Sequence, residues 1–316
     1  METESAVRKR YAAAAEAKEE ALCCAVDYDA RYLEAIPAEV IDRDYGCGDP
    51  SRYLQSGETV MDLGSGTGKI CFIASQIVGP EGRVIGVDMT DEMLECARRN
   101  APLVAANIGY ANVEFRKGRI QDLALDFNAL DARLKGLQLN GLKGFIEAES
   151  IAANLRATQP MVAPNTIDVV VSNCVLNLVD SAEKSQLFQE LHRVLKPGGR
   201  AVISDIVASD DVPQDLQKDP ELWSGCISGA LREDRFLRAF ADVGFDPIRI
   251  LKRETAVWRK VGDVEFRSVT IEAVKASNGG VPPALPVSDY FMPNKKNADQ
   301  KSQAGGDCCS PETGCC

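Results

Sequence analysis

The sequence predicts an α/β fold built on a mostly parallel β-sheet, and three observations support this prediction. Apolar strand-like runs alternate with helix-like stretches from Thr59 to about Val207, and this alternation is typical of βαβ units. A glycine-rich loop, GSGTG, joins the first of these strands to the helix that follows. The next strand ends in an acidic residue, Asp88. In such folds, ligands bind at the edge where the parallel strands end, so we expect a ligand site there.

The composition is that of an acidic, globular protein. Of the 316 residues, 45% are hydrophobic and 26% are charged, which is enough apolar material for a sizeable core. The formal net charge of −11 disfavours binding to nucleic acid or to an anionic membrane surface. No apolar run reaches the roughly 18 to 20 residues of a membrane span, and residues 1–20 lack the apolar segment of a signal peptide. We therefore expect a cytoplasmic protein without nucleic-acid or membrane partners.

The elements outside the regular alternation are predicted as follows. Residues 1–20 mix Ala with charged residues and show no broad apolar stripe, so we expect an exposed, weakly packed helix. The segment that follows ends in the loop YGCGDP, which carries Cys47. Residues 122–165 are too long for an ordinary connection and have helical periodicity in their second half. We interpret them as an inserted helical excursion.

From residue 59 onward the regular elements follow one another. Strands are expected at residues 59–64, 83–89, 113–118, 166–179 and 200–207, and helices at residues 69–79, 90–109 and 181–199. Residues 211–245 predict a helix, a glycine-rich turn around Cys226 and a second helix. The last two strands, at residues 247–258 and 264–275, have no helix between them, so we expect an antiparallel edge. The composition of the remaining C-terminal tail does not favour a packed structure.

Cysteine and histidine usage narrows the possible chemistry. Eleven cysteines, an odd number, are spread over a long chain with a full core, which differs from the disulfide framework of small secreted domains. Such thiols are structural, metal-binding or catalytic. The single histidine, His192, excludes a histidine-rich metal centre. It lies near a helix end beside Lys196, where we expect a solvated or capping role.

The glycine-rich loop and the acid at the next strand end predict a site for an adenosine group. Gly64, Gly66 and Gly68 allow the backbone to approach a ligand closely, although their GxGxG spacing departs from the GxGxxG dinucleotide fingerprint. Asp88 follows Gly68 by 20 residues, and a carboxylate there can accept hydrogen bonds from both ribose hydroxyls.

Because of the glycine-rich loop and Asp88, the segment from Glu58 to about Val207 resembles the class I methyltransferases that bind S-adenosylmethionine. The resemblance implies a Rossmann-like, seven-stranded, mostly parallel sheet with helices on both faces. The resemblance further implies that Gly64 to Gly66 line the methionine moiety and that Asp88 and Met89 hold the ribose and the adenine. It also implies that Asn173 closes the pocket. The implied cofactor-binding residues are Tyr45, Asp62, Gly64, Ser65, Gly66, Gly68, Asp88, Met89, Met93, Ile120, Gln121 and Asn173.

Three cysteines outside this loop point to the acceptor. Cys174 lies at the end of the fourth strand, at the ligand edge of the sheet, and the loops of Cys47 and Cys226 can bring these thiols to the same edge. Three thiolates at one point form a site for a soft metal or metalloid. Their sequence contexts, YGCG, SNCVLNLV and GCISGAL, resemble the arsenite methyltransferases in the same order.

The resemblance, which covers about Cys23 to Lys275, implies that Cys47, Cys174 and Cys226 bind trivalent arsenic and that arsenite and methylarsenite are the substrates. An N-terminal cysteine, Cys24 in preference to Cys23, is expected to form a disulfide with Cys47 after turnover, with thioredoxin or glutathione as reductant. The lone pair of arsenic attacks the sulfonium methyl, so the reaction needs no general base. Two features depart from the family pattern. The inserted excursion at residues 122–165 is longer than expected, and position 121 is Gln where an acidic residue is common.

We expect a monomer, and we expect its chain to be organised in four parts. These parts are an N-terminal helical segment with redox cysteines (1–50), an S-adenosylmethionine-binding domain (51–208), a C-terminal α+β arsenite-binding region (209–276) and a disordered tail (277–316).

Other interpretations stay open at this point. The chain could methylate a small organic acceptor such as a quinone or a sterol, with the three cysteines incidental. It could also be a thiol-rich protein that binds metalloids without turnover. Cys71 and Cys96 lie within helical patterns and are interpreted as packing residues. The paired cysteines of the tail could capture arsenic or bind adventitious metal, and these are Cys308, Cys309, Cys315 and Cys316.

Overall fold

The computed structural model describes residues 2–16, 19, 26–43 and 45–277. The predictions made for Cys23, for Cys24 and for the four cysteines of the tail lie outside these residues. Within the described part of the chain, no helix is both long enough and apolar enough to cross a membrane.

The core of the molecule is a sheet of eight strands. They are β1 (Thr59–Leu63), β2 (Arg83–Asp88), β3 (Val113–Lys117), β4 (Ile167–Asn173), β5 (Leu195–Ala208), β6 (Phe245–Arg253), β7 (Arg259–Val261) and β8 (Val264–Lys275). The strand order is β3-β2-β1-β4-β5-β8-β6, and β7 pairs with β8. The first five of these strands run parallel, and β8 is antiparallel to β5, β6 and β7. The mostly parallel sheet and its antiparallel edge are therefore confirmed. The expected number of seven strands is exceeded by β7, a strand of three residues that pairs with β8 outside the main strand order.

Helices cover both faces of this sheet. They are α1 (Glu2–Glu16), α2 (Ala30–Leu33), α3 (Ala38–Ile41), α4 (Lys69–Val78), α5 (Asp91–Ile108), α6 (Phe127–Leu134), α7 (Gly141–Thr158), α8 (Lys184–Val194), α9 (Gln214–Gln217), α10 (Pro220–Ser224) and α11 (Glu233–Asp242). Short 3-10 helices occupy Pro50–Tyr53 and Leu176–Leu178. The excursion between β3 and β4 contains α6 and α7, so its helical character is confirmed.

Side chains alternate between two apolar layers along the strands. On β1, Val60 packs with Phe72 of α4, whereas Met61 belongs to the layer that contains Phe240 of α11. On β4, Val170 lies in the layer of Met61 and Phe240, and Val171 lies in the layer of Val60 and Phe72. This period of two is the pattern expected for strands buried on both faces.

Helix α1 is not the weakly packed helix that the sequence predicts. Val7, Ala14 and Ala15 are buried, and Arg10 Nη1 donates hydrogen bonds to the Glu221 carbonyl and to Ser224 Oγ, both 3.1 Å away. The sequence prediction was wrong because the packed face is narrow and made largely of alanine, which contributes little to an apolar pattern.

The expectation for His192 was also wrong. Its side chain is buried near the end of α8 and packs edge-on against Phe245, with 5.4 Å between ring centroids. Burial and the Lys275 ammonium lower the pKa of His192 to about 4. The packing of β6 against α8, which the sequence does not reveal, makes this histidine a neutral core residue.

Candidate active site

A cavity opens at the carboxyl edge of the sheet, where the glycine-rich loop joins β1 to α4. Gly64, Gly66 and Gly68 all have positive φ angles, of 68°, 52° and 93°, a conformation that other residues adopt only with strain. A Cβ atom on Gly64 would lie 2.4 Å from a methyl carbon of Val175. The glycines therefore permit both the turn and the close approach of the loop to the chain after β4.

Eleven of the twelve predicted cofactor-binding residues line this cavity. The exception is Gly68, the N-cap of α4, whose Cβ position faces Phe115 at 2.7 Å. The residues on the cavity wall are Tyr45, Asp62, Gly64, Ser65, Gly66, Asp88, Met89, Met93, Ile120, Gln121 and Asn173. The structure brings them together, and their individual roles in binding stay predictions.

Asp88 is held at the end of β2 by backbone donors. The amide of Gly66 donates to one carboxylate oxygen at 2.9 Å, and the amide of Thr90 donates to the other at 2.8 Å. Burial raises the pKa of Asp88, and these hydrogen bonds oppose the rise. A fixed carboxylate beside a glycine cradle and the apolar side chains of Met89 and Ile120 fits a ligand with ribose hydroxyls and an adenine ring.

Helix α1 supplies part of the cavity wall that sequence reasoning missed. Glu4, Val7 and Tyr11 line the cavity, and Glu4 forms an ion pair with Arg119 at 2.8 Å. The hydroxyl of Tyr45 donates to the carbonyl of Ala14 at 2.9 Å. A signal was present, since Val7, Tyr11, Ala14 and Ala15 follow the i, i+4, i+7, i+8 spacing of one helical face. These contacts place α1 over the predicted cofactor site.

The three predicted arsenic-binding cysteines meet beside this cavity. Cys47 and Cys174 form a disulfide with their Cα atoms 5.8 Å apart, and the thiol of Cys226 donates a hydrogen bond to the Cys174 carbonyl at 3.1 Å. All three are buried, and Cys174 also lines the cavity. The disulfide differs from the predicted Cys47–Cys24 pairing, and that pairing stays a prediction because Cys24 lies outside the described residues.

Two of these cysteines have an unusual backbone conformation. Cys174 and Cys226 have φ angles of 61° and 63°, and among the described residues only Asn165 shares this region without being glycine. Such a conformation costs about 1 to 3 kcal/mol and persists only where surrounding contacts impose it. The strain is concentrated at the thiol cluster, as is common at functional sites. No feature of the sequence predicts it.

Asn173 fixes the loop that carries Cys47. Its side-chain oxygen accepts hydrogen bonds from the amides of Cys47 at 2.9 Å and Gly48 at 3.1 Å, and its Nδ2 donates to the Gly48 carbonyl at 2.7 Å. A Cβ atom on Gly46 would lie 1.9 Å from Asn173 Nδ2, and one on Gly48 would lie 2.6 Å from Ser204 Oγ. Both glycines of the YGCG motif are therefore required by close contact.

The thiol of Cys226 has a further neighbour from α1. The Tyr11 hydroxyl forms a hydrogen bond with the Cys226 side chain, and burial, together with this thiol, raises the pKa of Tyr11 well above its usual value. Cys71 and Cys96 lie apart from the three clustered cysteines. Cys71 Sγ is 3.3 Å from an Asp62 carboxylate oxygen, and Cys96 is buried on α5.

Comparisons with known proteins agree with this geometry. A family model described as a methyltransferase domain matches residues 54–134 and 135–244. The arsenite methyltransferase of Halobacterium salinarum is 35% identical over 306 residues, covering 87% of this chain and 67% of the relative. The mouse arsenite methyltransferase is 32% identical over 251 residues, covering 77% of this chain and 57% of the relative. The chain thus spans between about three fifths and two thirds of the length of these relatives.

A solved structure extends the likeness to three dimensions. The arsenic (III) S-adenosylmethionine methyltransferase of Chlamydomonas reinhardtii superposes with a TM-score of 0.62 at 30% identity, covering 79% of this chain and 74% of that protein. Its fold therefore matches most of the described sheet and helices. On this evidence, the chain belongs to the arsenite methyltransferase family, whose cofactor is S-adenosylmethionine.

Proposed function

We propose that this chain methylates trivalent arsenic while Cys47, Cys174 and Cys226 hold the arsenic atom. The observation that carries the proposal is the meeting of these three cysteine side chains, from three separate segments, beside the cofactor cavity, whose wall includes Cys174. Trivalent arsenic is a soft, three-coordinate centre, and thiolates are its matching ligands. Three buried thiolates would enclose it and leave its lone pair directed away from them.

Arsenic binding requires the reduced form of the cluster. A reductant with two thiols, or two monothiols, first converts the Cys47–Cys174 disulfide to two thiols and becomes a disulfide itself. Arsenous acid then exchanges its three hydroxyl groups for three cysteine sulfurs. Each thiol proton leaves with a hydroxyl as water, so three water molecules are released. The burial of the cluster protects the resulting arsenic–sulfur bonds from hydrolysis.

Cys174 aligns the two substrates, because it lies both in the thiol cluster and on the cavity wall. When bound, S-adenosylmethionine supplies the sulfonium methyl group that the arsenic lone pair attacks. The glycine loop at Gly64 to Gly66 would hold the methionine end, and Asp88 would hold the ribose. The contribution of the chain is then positioning, which is worth several orders of magnitude in rate when the reacting atoms are held in line. No side chain has to move a proton in this step.

Forming the new carbon–arsenic bond oxidises arsenic by two electrons, and two thiolates can return them. We propose that Cys47 and Cys174 leave arsenic together as a disulfide, which reduces the methylated arsenic to the trivalent state on Cys226. Water completes its coordination as hydroxide and releases a proton. The pairing of Cys47 with Cys174 in the structure supports this choice. Attack of Cys24 on Cys47 would then release Cys174, and thioredoxin or glutathione would reduce the remaining disulfide in a reducing cytoplasm.

The proposal is tested by turnover and by cysteine substitution. Purified protein is incubated with arsenite, S-adenosylmethionine and a thiol reductant, and arsenic species are separated by chromatography. Cys174→Ser and Cys226→Ser should produce no methylated arsenic, whereas Cys96→Ser, at a buried cysteine away from the cluster, should retain parent turnover. Methylated product from Cys226→Ser at the parent rate, or none from the parent, would overturn the proposal. A parent that methylates a quinone or sterol instead would establish an organic acceptor.

A further inference from the structure

Two buried charged residues lie beside the thiol cluster and take no part in the chemistry proposed above. Lys184, the first residue of α8, and Asp205, in β5, are 2% and 0% exposed. Burying a charge is costly unless it is paired or hydrogen-bonded. Neither residue stands out in the sequence. Their contacts therefore indicate which part of the structure these two residues hold in place.

Both charges bind the same residue, Leu176. Asp205 Oδ2 accepts a hydrogen bond from the Leu176 amide at 2.9 Å, and Lys184 Nζ donates to the Leu176 carbonyl at 2.7 Å. The other Asp205 oxygen accepts from Asn177 Nδ2 at 2.9 Å. Leu176 follows Cys174 by two residues and begins the 3-10 turn Leu176–Leu178. The two charges thus hold this turn from opposite sides.

This 3-10 turn in turn supports the segment that carries Cys226. The indole Nε1 of Trp223 donates to the Leu178 carbonyl at 3.1 Å. The backbone at Gly229 packs so closely on the turn that a Cβ atom there would lie 1.9 Å from the Asn177 carbonyl oxygen. Together with the hydrogen bond from the Cys226 thiol to the Cys174 carbonyl, these contacts make the turn a common support for two of the three cysteines.

The same neighbourhood contains the other ionisable groups that face this pair. Cys226 and Asp180 act electrostatically on Lys184, and Tyr11 of α1 lies near both Cys226 and Asp205. Burial lowers the pKa of Lys184 to about 8, and the Asp205 carboxylate opposes this decrease. Lys184 thus interacts electrostatically with Asp205 and Cys226, and both charged residues are hydrogen-bonded to Leu176.

We propose that Lys184 and Asp205 are positioning residues for arsenic, which hold the 3-10 turn so that Cys174 and Cys226 keep the spacing needed to bind one arsenic atom. The inference rests on the proposed function. It also accounts for the positive φ angles of 61° at Cys174 and 63° at Cys226, since such conformations persist only where the surroundings impose them. The turn that the pair holds also places Leu178 on the wall of the cofactor cavity. The residues expected to hold the methionine and the ribose, Gly64 to Gly66 and Asp88, lie on the glycine loop and at the end of β2, so the pair should affect arsenic more than S-adenosylmethionine.

The experiment measures two dissociation constants in reduced protein, one for arsenite and one for S-adenosylmethionine. In Lys184→Met and in Asp205→Asn, the arsenite dissociation constant should rise roughly tenfold, as expected for the loss of one hydrogen bond to a charged group. The dissociation constant of S-adenosylmethionine should stay within about twofold of the parent. Lys275→Met is the matched control, because Lys275 Nζ also binds buried carbonyls, those of His192 and Leu195, but at the other end of α8.

The double variant, Lys184→Met with Asp205→Asn, separates positioning from stability. It leaves no uncompensated charge in the core, so its stability toward urea should recover relative to either single variant. Its arsenite affinity should stay weak, because Leu176 then has neither of its charged partners. Recovery of affinity together with stability would show a purely structural role and overturn the inference, as would parent-like arsenite affinity in a folded single variant. If the parent itself binds no arsenite, the proposed function fails as well.

Discussion

The thiol of Cys226 donates a hydrogen bond to the carbonyl oxygen of Cys174 over 3.1 Å, although 52 residues separate them in sequence. This contact brings a glycine-rich turn that follows α10 against the end of β4, and Cys174 bridges on to Cys47 through a disulfide. The cofactor cavity and the thiol cluster thus share one residue.

Asn173→Ala should weaken arsenite turnover without unfolding the protein. The substitution leaves the amides of Cys47 and Gly48 without their acceptor, so the Cys47 loop loses its fixed position. We expect kcat/KM for arsenite to fall roughly tenfold or more, and the free energy of unfolding to fall by about 1 to 3 kcal/mol. Steady-state kinetics and urea denaturation measure the two effects.

Tyr28→Phe is the control for this prediction. The Tyr28 hydroxyl accepts from Asn173 Nδ2 at 3.1 Å and donates to the Gly48 carbonyl at 3.4 Å. Its removal costs the Cys47 loop one long hydrogen bond but leaves the amides of Cys47 and Gly48 bonded to Asn173. Its arsenite kinetics should lie close to those of the parent. Equal losses in Asn173→Ala and Tyr28→Phe would contradict the role given to the Cys47 loop.

Val7→Asp should reduce affinity for S-adenosylmethionine. Val7 is buried on α1 and lines the cofactor cavity, and an unpaired carboxylate there would detach the helix from the cavity wall. We expect the dissociation constant, measured by calorimetry, to rise roughly tenfold. Ser5→Asp, at an exposed position of the same helix, adds the same charge without this effect. Unchanged affinity in Val7→Asp would mean that α1 does not contribute to the cofactor site.

The buried His192 should make the fold less stable in mild acid. Its pKa in the folded protein is lowered to about 4 from an ordinary value of 6.5, so below pH 6.5 the unfolded chain binds a proton that the folded chain does not. Stability therefore decreases as the pH falls through this window and the loss levels off below about pH 4. Between pH 7.5 and pH 5 the loss should be about 2 kcal/mol.

His192→Asn isolates this contribution. Urea denaturation of parent and variant at both pH values gives the difference directly, since the other titrating groups are common to the two proteins. The parent should lose about 2 kcal/mol more than the variant over this range. Parallel losses would show that His192 is not held neutral in the core.

Reduction should control arsenic binding. With the Cys47–Cys174 disulfide intact, Cys226 is the one cysteine of the cluster that is still a thiol, and a single thiol binds arsenite weakly. We expect oxidised protein to bind arsenite at least 100-fold more weakly than reduced protein, by the multivalency of the thiol ligands. Peptide mapping by mass spectrometry, without reductant, should show Cys47 linked to Cys174. Tight arsenite binding by protein with this disulfide intact would contradict the three-thiol site.

The parts of the fold and site that follow local rules could be predicted from sequence. The parallel strands, the glycine loop and Asp88 obey short-range patterns, and Cys174 is placed by its position at the end of β4. The antiparallel edge followed from two strands without an intervening helix.

Features that depend on long-range packing could not be predicted in this way. His192 becomes buried only because β6 packs against α8, and the narrow apolar face of α1 does not reveal which part of the chain it packs against. The left-handed backbone at Cys174 and Cys226 does not follow from the local sequence, and neither do the hydrogen bonds of Asp205 and Lys184 to Leu176. Neither Asp205 nor Lys184 belongs to a local motif, and their importance appears only when the strands and helices are assembled.

The most direct test of the central claim is X-ray absorption spectroscopy at the arsenic edge on reduced protein with one equivalent of arsenite. The account predicts three sulfur atoms bonded to arsenic and no oxygen in the parent, and two sulfur atoms with one oxygen in Cys226→Ser. A parent spectrum dominated by oxygen, or one that is unchanged in Cys226→Ser, would contradict the assignment of Cys47, Cys174 and Cys226 as the arsenic site.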